Sequence, residues 1–258
     1  LPTFKTMVKV FEIAGHESAI EGRLGGLLQW AVLKRFESCW RACLETVTAM
    51  IAAHDAFLFA WAAGEVLGRE SLRQAAAANA EEGGLAEWVA GRLEEGADTR
   101  PLTDFDPGYV DEVSDDRGRL EAIRAAVSAL RPEDDPKLAA LRDLLETMPD
   151  EKVAVFSTYG ATVRYIDENL PALVGGRERV AVIGNETTPD QRLAVLSRFA
   201  PTTVVRPDYV PPEGEVGLLI STDVLSEGQN LQQAQAVVSY DMPWNPQRVV
   251  QRNGRVIR

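Results

Sequence analysis

The feature that most constrains the fold is an alternation of short apolar runs and amphipathic stretches that begins at residue 151. The apolar runs have the length and composition of strands buried on both faces, and helical spacing recurs between them. Strands joined by helices form parallel βαβ units. The sequence therefore predicts an α/β fold, a parallel sheet with flanking helices, with strands at 153–156, 180–183, 216–220 and 236–240.

The residues before this alternation are predicted to be mostly helical. Apolar side chains recur there at spacings of three and four, for example Leu33, Phe36 and Trp40. The predicted helical stretches are 26–67, 71–95 with a break at Gly83-Gly84, 119–130 and 136–148. Residues 96–118 contain prolines and many acids without a period, which predicts a loop or connector.

Two regions follow from this division. Residues 1–135 are predicted to be a mostly helical linker or insertion region with an acidic connector, and residues 136–258 the α/β domain. The start of the chain lacks a Met and a signal-peptide pattern, so we expect a fragment of a longer protein. Because no run of 18 or more apolar residues occurs, no contact with a membrane is predicted.

The net charge of −12 argues against a surface that binds nucleic acid over its whole extent. Residues 151–258 hold 11 basic and 12 acidic side chains, so the acidic excess lies almost entirely in residues 1–150. After Asp241 the chain has four arginines and no acid. A local basic strip can therefore bind phosphate groups within an acidic protein, because nearby charges are the least screened.

The two cysteines, Cys39 and Cys43, would share one face of a helix. We interpret them as small buried apolar residues. A disulfide or a metal site is not expected, because only His16 and His54 could supplement them. Reduced cysteines favour a cytoplasmic location.

Hydroxyl residues lie at the ends of two predicted strands, where parallel sheets bind their ligands. Ser157 and Thr158 follow the first strand, and Ser221 and Thr222 the third. Hydroxyl groups before a helix either bind phosphate or cap the helix, and the residues alone leave both interpretations open.

Two further patterns flank the last predicted strand. Before it, Gly228 would allow a nucleotide to approach the backbone and Glu227 would accept from ribose hydroxyls, although an ordinary turn explains both. After it, Trp244 between two prolines is either functional or a structural wedge, and Asp241 either functional or a cap or solvated loop residue.

Residues 251–258 read Gln-Arg-Asn-Gly-Arg-Val-Ile-Arg. Arginine is always charged, and its planar fork of donors fits phosphate oxygens. A solvated helix face, the alternative, would normally include glutamates, and none occurs here. Because Gly254 breaks the helical spacing, Arg255 and Arg258 are predicted to converge on one anion.

In order and spacing, these patterns resemble the second RecA-like lobe of superfamily-two helicases. Residues 156–162 look like motif IV, residues 221–231 like motif V and residues 251–258 like motif VI. The Tyr-Asp-Met-Pro-Trp-Asn-Pro stretch at 240–246 and the Glu-Gly-Gln-Asn-Leu stretch at 227–231 are similar to the Swi/Snf-type translocases. Within these they resemble the bacterial branch that includes the RNA-polymerase-recycling ATPase.

The resemblance implies an ATP site between two lobes. Arg255 and Arg258 would reach the γ-phosphate, and fingers of this kind contribute on the order of 10³–10⁵ in rate. Gln251 would couple the nucleotide state to the lobe interface, and Glu227 and Gly228 would lie beside the nucleotide. A nucleic-acid track would contain the four hydroxyl residues Ser157, Thr158, Ser221 and Thr222.

The first lobe of such a motor would be the partner of this chain and would hold most of the ATP and Mg²⁺ contacts. This sequence has neither the Gly-x-x-x-x-Gly-Lys-Ser/Thr loop nor an acidic box after a strand. We therefore predict that the chain alone has no appreciable ATPase activity, and that the lobe stops directly after motif VI.

The predicted function is the second lobe of an ATP-dependent helicase or translocase, with double-stranded DNA as the track. One alternative is a non-catalytic module that binds protein or nucleic acid, with the acidic helical region as a surface for a protein partner. Another is an unrelated α/β nucleotide-binding enzyme. A P-loop and an acidic box in the parent sequence would distinguish the motor from the binding module.

Overall fold

The computed structural model describes residues 24–78, 85–95, 98–174, 176–226, 231–243 and 245–254. These residues form two compact units. The helical unit contains residues 24–34 and 43–129, and the sheet unit contains residues 35–42 and those from 130 onward.

The first part of the chain is mostly helical, as predicted. Its elements are α1 (Leu24–Ser38), α2 (Trp40–Ala62), β1 (Glu65–Leu67), α3 (Arg69–Ala78), α4 (Leu85–Glu94), β2 (Thr99–Pro101) and α5 (Tyr109–Ser128). Strands β1 and β2 pair antiparallel. A small core of the helical unit is formed by Ala56, Ala60, Leu67, Ala75 and Val89.

Two of the sequence predictions in this region are wrong. The helix predicted over 26–67 is interrupted at Cys39 and stops at Ala62, because Gly64 adopts a positive φ of 95° and the chain turns into β1. The connector predicted over 96–118 contains β2 and the first half of α5. That half shows no apolar period because the buried side chains of α5, Leu120, Ile123 and Val127, lie in its second half.

Among the described residues, α2 alone is long and apolar enough to span a membrane, judged by length and composition. Its most apolar window is 39 % buried within the protein. One such helix is weak evidence, since the core helix of a soluble protein passes the same test.

The sheet unit has the predicted alternation of strands and helices. Its elements are α6 (Pro136–Glu146), β3 (Val153–Ser157), α7 (Gly160–Asn169), β4 (Val180–Ile183), α8 (Pro189–Phe199), α9 (Pro201–Val204), β5 (Leu218–Thr222), β6 (Ala236–Ser239) and α10 (Pro246–Asn253). Within the described ranges the sheet has four parallel strands in the order β4-β5-β3-β6. The predicted fold class, a parallel sheet with flanking helices after a mostly helical region, is confirmed.

The two central strands are buried along their whole length. Every residue of β3 and β5 is buried, and these strands pair in register from Val153 opposite Leu218 to Ser157 opposite Thr222. Strand β5 therefore lies two residues later than the predicted 216–220, because its ladder with β3 continues to Thr222. Ser221 and Thr222 are thus the last residues of a strand, whereas the sequence placed them after it.

Helices α8 and α10 of the sheet unit begin with a side-chain cap. Thr188 caps α8: its hydroxyl accepts from the Gln191 amide at 3.3 Å, and the Gln191 side chain accepts from the Thr188 amide at 3.0 Å. Asn245 caps α10 by accepting from the Gln247 amide at 3.0 Å, with Pro246 in the first turn. These contacts satisfy amide groups that the first turn of a helix leaves without partners.

Candidate functional site

The carboxyl edge of the sheet is organised around the side chain of Asp241, which follows β6 and is 8 % exposed. Its carboxylate accepts from the hydroxyl groups of Ser157 at 2.6 Å, Ser38 at 2.7 Å and Thr158 at 2.8 Å. The amide of Thr158 also donates to it, at 2.9 Å and 3.1 Å to the two oxygens. One buried carboxylate therefore joins the ends of β3 and β6 to residue 38.

These donors keep Asp241 ionised. Burial by itself raises the pKa of a carboxyl group, because it disfavours the charged form. The hydrogen bonds from Ser157, Ser38 and Thr158 outweigh that effect, so the pKa of Asp241 lies below its ordinary value. The edge thus contains a negative charge at neutral pH. The burial of Asp241 excludes its interpretation as a solvated loop residue.

The counter-charge is the guanidinium group of Arg252, which is completely buried. Its Nε donates to Asp223 at 2.7 Å, and its Nη1 donates to the Ser239 hydroxyl and to the Asp241 carbonyl, both at 3.1 Å. Its Nη2 lies 3.5 Å from the Thr158 hydroxyl and 3.8 Å from the Asp241 carboxylate. Arg252 therefore fixes α10 to the carboxyl ends of β3, β5 and β6.

A second arginine of α10 shares one of these partners. Arg248 donates to the other carboxylate oxygen of Asp223 at 3.1 Å, and its side chain is 48 % exposed. The two pairs differ in environment, since one guanidinium is solvated and the other has no contact with solvent. Exposed pairs of this kind contribute little to stability, whereas a buried charge that loses its partner destabilises the folded state.

Residues 35–42 form part of this edge although they lie far from it in sequence. The Lys137 ammonium group donates to the carbonyls of Glu37 at 2.8 Å and Ser38 at 3.0 Å, which end α1. It also lies 4.3 Å from the centre of the Tyr240 ring. Burial lowers the pKa of Lys137, and the nearby charges of Asp241 and Asp135 act in the opposite direction.

The nine residues predicted for the site are placed as follows. Ser157 is fully buried against Asp241, and Thr158 is partly exposed. The Ser221 hydroxyl donates to the Thr222 carbonyl at 2.8 Å, and the Thr222 hydroxyl donates to Asn185 at 3.0 Å.

Gln251 is exposed on α10, next to Arg252. The other four predicted residues, Glu227, Gly228, Arg255 and Arg258, lie outside the described residues, as does Trp244. The roles given to all nine stay predictions.

Sequence reasoning missed Arg252, Asp223 and Ser38 as parts of this edge. Arg252 was visible in the arginine block, but nothing in the pattern distinguished a buried arginine from one that reaches a phosphate. Ser38 carried no signal, because it is 203 residues from the carboxylate that it contacts.

A cavity of about 230 Å³ lies at the opposite edge of the same sheet. It is bordered by the amino ends of β3 and β5 and lined in part by Leu145, Met148, Val174 and Arg179. Ligands of open parallel sheets bind at the carboxyl ends of the strands. The cavity is therefore not part of the candidate site.

Residues 136–258 match the family of the helicase conserved C-terminal domain. This match covers just under half of the chain, and it supports the predicted helicase C-terminal lobe. The narrower Swi/Snf-type bacterial branch stays a prediction.

Curated relatives that match this part of the chain include RNA helicases and an RNA polymerase-associated protein. The ATP-dependent RNA helicase eIF4A of Coccidioides immitis is 29 % identical over 136 residues, which is 53 % of this chain and 30 % of the relative. The RNA polymerase-associated protein RapA of Pectobacterium atrosepticum is 31 % identical over 124 residues, which is 48 % of this chain and 12 % of the relative. The chain thus spans less than a third of the length of either relative.

Two solved structures are also similar. The C-terminal part of the Fun30 ATPase domain aligns with a TM-score of 0.48 and 16 % identity. The alignment covers 100 % of this chain and 76 % of the Fun30 chain. The Hef helicase domain of Pyrococcus furiosus aligns with a TM-score of 0.38 and 18 % identity. The alignment covers 83 % of this chain and 50 % of the Hef chain.

Proposed function

We propose that this chain contains the second motor lobe of an ATP-dependent helicase or translocase that acts on nucleic acid. The observation that carries the proposal is the attachment of α10 within the helicase C-terminal domain. Arg252 fastens this helix to the carboxyl edge of the sheet, and the chain continues from the helix directly into Arg255 and Arg258. The arginine block thus begins at the edge where parallel sheets bind their ligands.

In this proposal Arg255 and Arg258 contact the phosphate groups of ATP, Gln251 couples the nucleotide to the lobe interface, and Glu227 and Gly228 lie beside the nucleotide. Arg252 is not proposed to bind phosphate, because its guanidinium is completely buried and is held by Asp223, Ser239 and Asp241.

The first lobe of the parent protein supplies the phosphate loop and the Mg²⁺ ligands. The sequence has neither a Gly-x-x-x-x-Gly-Lys-Ser/Thr loop nor an acidic box after a strand, so we propose that this chain alone does not hydrolyse ATP.

The nucleic-acid track is proposed to pass the ends of β3 and β5. Thr158 is partly exposed, and because its hydroxyl and amide already donate to Asp241, a phosphate contact there requires the hydroxyl to turn from Asp241 to the ligand. Ser157, Ser221 and Thr222 are buried, so they support this edge from inside. We propose double-stranded DNA as the track, from the Swi/Snf-like form of residues 240–246. The RNA-helicase relatives support RNA as the alternative.

The test is the ATPase activity of the full-length parent protein with double-stranded DNA, single-stranded DNA or RNA. Nucleic acid is expected to stimulate turnover, and Arg255→Ala and Arg258→Ala are each expected to lower it by on the order of 10³-fold or more. Arg206→Ala, an exposed arginine of the same unit, is the matched control and should leave turnover unchanged. Unchanged turnover in both finger variants would refute the assignment, and stimulation by RNA alone would refute the DNA track.

The location and a protein partner are further parts of the proposal. Cys39 and Cys43 are buried, and we propose a reducing cytoplasm as the location, as in the sequence-based prediction. The exposed acidic residues that begin α5, such as Asp111 and Glu112, are the proposed surface for a basic protein partner. Binding of the chain to a basic peptide, and its loss in Asp111→Asn/Glu112→Gln, would test the second point.

A further inference from the structure

Ser38 lies outside residues 136–258 in sequence, yet it contacts Asp241 at the carboxyl edge of the sheet. It ends α1, is 1 % exposed and lies between the hydroxyl of Thr162 at 2.8 Å and the carboxylate of Asp241 at 2.7 Å. Because an ionised carboxylate only accepts, the single Ser38 proton points to Asp241. Thr162 must then donate to Ser38, which gives a directed chain from Thr162 through Ser38 to Asp241.

The position of Ser38 is fixed by contacts on both sides of it. Lys137 holds the carbonyls of Glu37 and Ser38, as described above. The Trp40 ring meets the Tyr165 ring edge-on at 5.5 Å, and its Nε1 donates to the Tyr165 hydroxyl at 3.2 Å. This backbone is therefore attached to α6 and α7 by polar contacts, and the serine hydroxyl has little freedom to move.

Asp241 passes this constraint to the predicted track and to α10. The oxygen that accepts from Ser38 also accepts from Ser157 and from the Thr158 amide. The carbonyl of Asp241 accepts from Arg252, whose Nη2 lies beside the Thr158 hydroxyl. A change at Ser38 is therefore expected to affect both the partly exposed Thr158 hydroxyl and Arg252, which attaches α10 to the sheet.

We propose that Ser38 is a positioning residue for nucleic-acid engagement, acting through Asp241 on Thr158 and Arg252. The inference rests on the proposed function. It adds to the motor a residue from upstream of the matched domain. In sequence, residues 35–42 are flanked on both sides by residues of the helical unit.

The test compares Ser38→Ala with Thr162→Val in the full-length parent protein. Both remove one buried hydroxyl, but Thr162→Val leaves every donor to Asp241 in place. Three quantities are measured: the nucleic-acid concentration that half-saturates ATPase stimulation, kcat at saturation, and hydrogen exchange of the Thr158 amide. Ser38→Ala is expected to raise the half-saturating concentration by about fivefold or more and to speed Thr158 exchange, with kcat within about twofold of wild type. Thr162→Val should change none of the three.

The inference is overturned if the two variants change the half-saturating concentration and the Thr158 exchange rate equally. In that case the loss of any buried hydroxyl at this place has the same effect, and the contact of Ser38 with Asp241 has no special role. If Ser38→Ala does not fold, Ser38→Cys preserves the volume with a weak donor and is judged by the same criteria. If wild-type protein shows no stimulation by any nucleic acid, the proposed function fails. Thr158 exchange in the variants then decides alone whether Ser38 positions this edge.

Discussion

Replacement of Arg252 by methionine tests whether the carboxyl edge is held by one buried charge. The guanidinium has no solvent contact and donates to Asp223, Ser239 and the Asp241 carbonyl. Its removal leaves the Ser239 hydroxyl and the Asp241 carbonyl without this donor and takes the buried partner from Asp223, which keeps its contact with the half-exposed Arg248. Loss of one member of a buried ion pair costs about 3–5 kcal/mol. Arg252→Lys keeps the charge but not the planar fork, so a loss of about 1.5–3 kcal/mol is expected.

Arg248→Met is the matched control, since Arg248 lies on the same helix and pairs with the same Asp223 from a position that is 48 % exposed. An exposed pair contributes about 0–1 kcal/mol. Native-state hydrogen exchange at the amides of Val155 and Phe156 gives the free energy of opening of the sheet unit, independent of the helical unit. The reasoning is refuted if Arg252→Met costs no more than about 1 kcal/mol beyond the cost of Arg248→Met, because that difference is within the range of an exposed pair.

Three other results are expected. Asp241→Asn should cost about 1.5–3 kcal/mol at neutral pH, because its donors lose a charged acceptor. Folding lowers the pKa of Asp241, so the ionised carboxylate stabilises the fold at pH values above its unfolded pKa. This stabilisation is lost as the pH falls through the folded pKa. The free energy of unfolding, measured as the pH is lowered, should show the loss in wild type and not in Asp241→Asn. Thr188→Ala should cost about 1 kcal/mol in thermal unfolding, because it removes the cap of α8, and no change would argue against the capping box. Burial raises the pKa of the Cys39 thiol to about 12, so iodoacetamide at pH 8 should label it only after urea is added, and rapid labelling of folded protein would contradict its burial.

The sequence predicted the α/β fold because buried parallel strands and amphipathic helices leave different apolar periods in the chain. The first turns of α8 and α10 can also be read from the sequence, since Thr188 and Asn245 cap their helices through contacts with residues two or three positions away. It failed for the start of α5, where an exposed helix has no apolar period. It also placed β5 two residues early, because the end of that strand depends on its ladder with β3.

For the site, the sequence by itself determined which residue types meet at the strand ends and that an arginine block follows the last strand. Only the tertiary structure decided that Arg252 is an internal counter-charge, that Ser157 faces inward, and that Ser38 contributes the third hydroxyl to Asp241. The reason is physical. Spacing along the chain reports which side chains share an element, whereas a hydrogen bond across 203 residues depends on how the elements pack, and a guanidinium group is charged whether it meets a phosphate or a buried carboxylate.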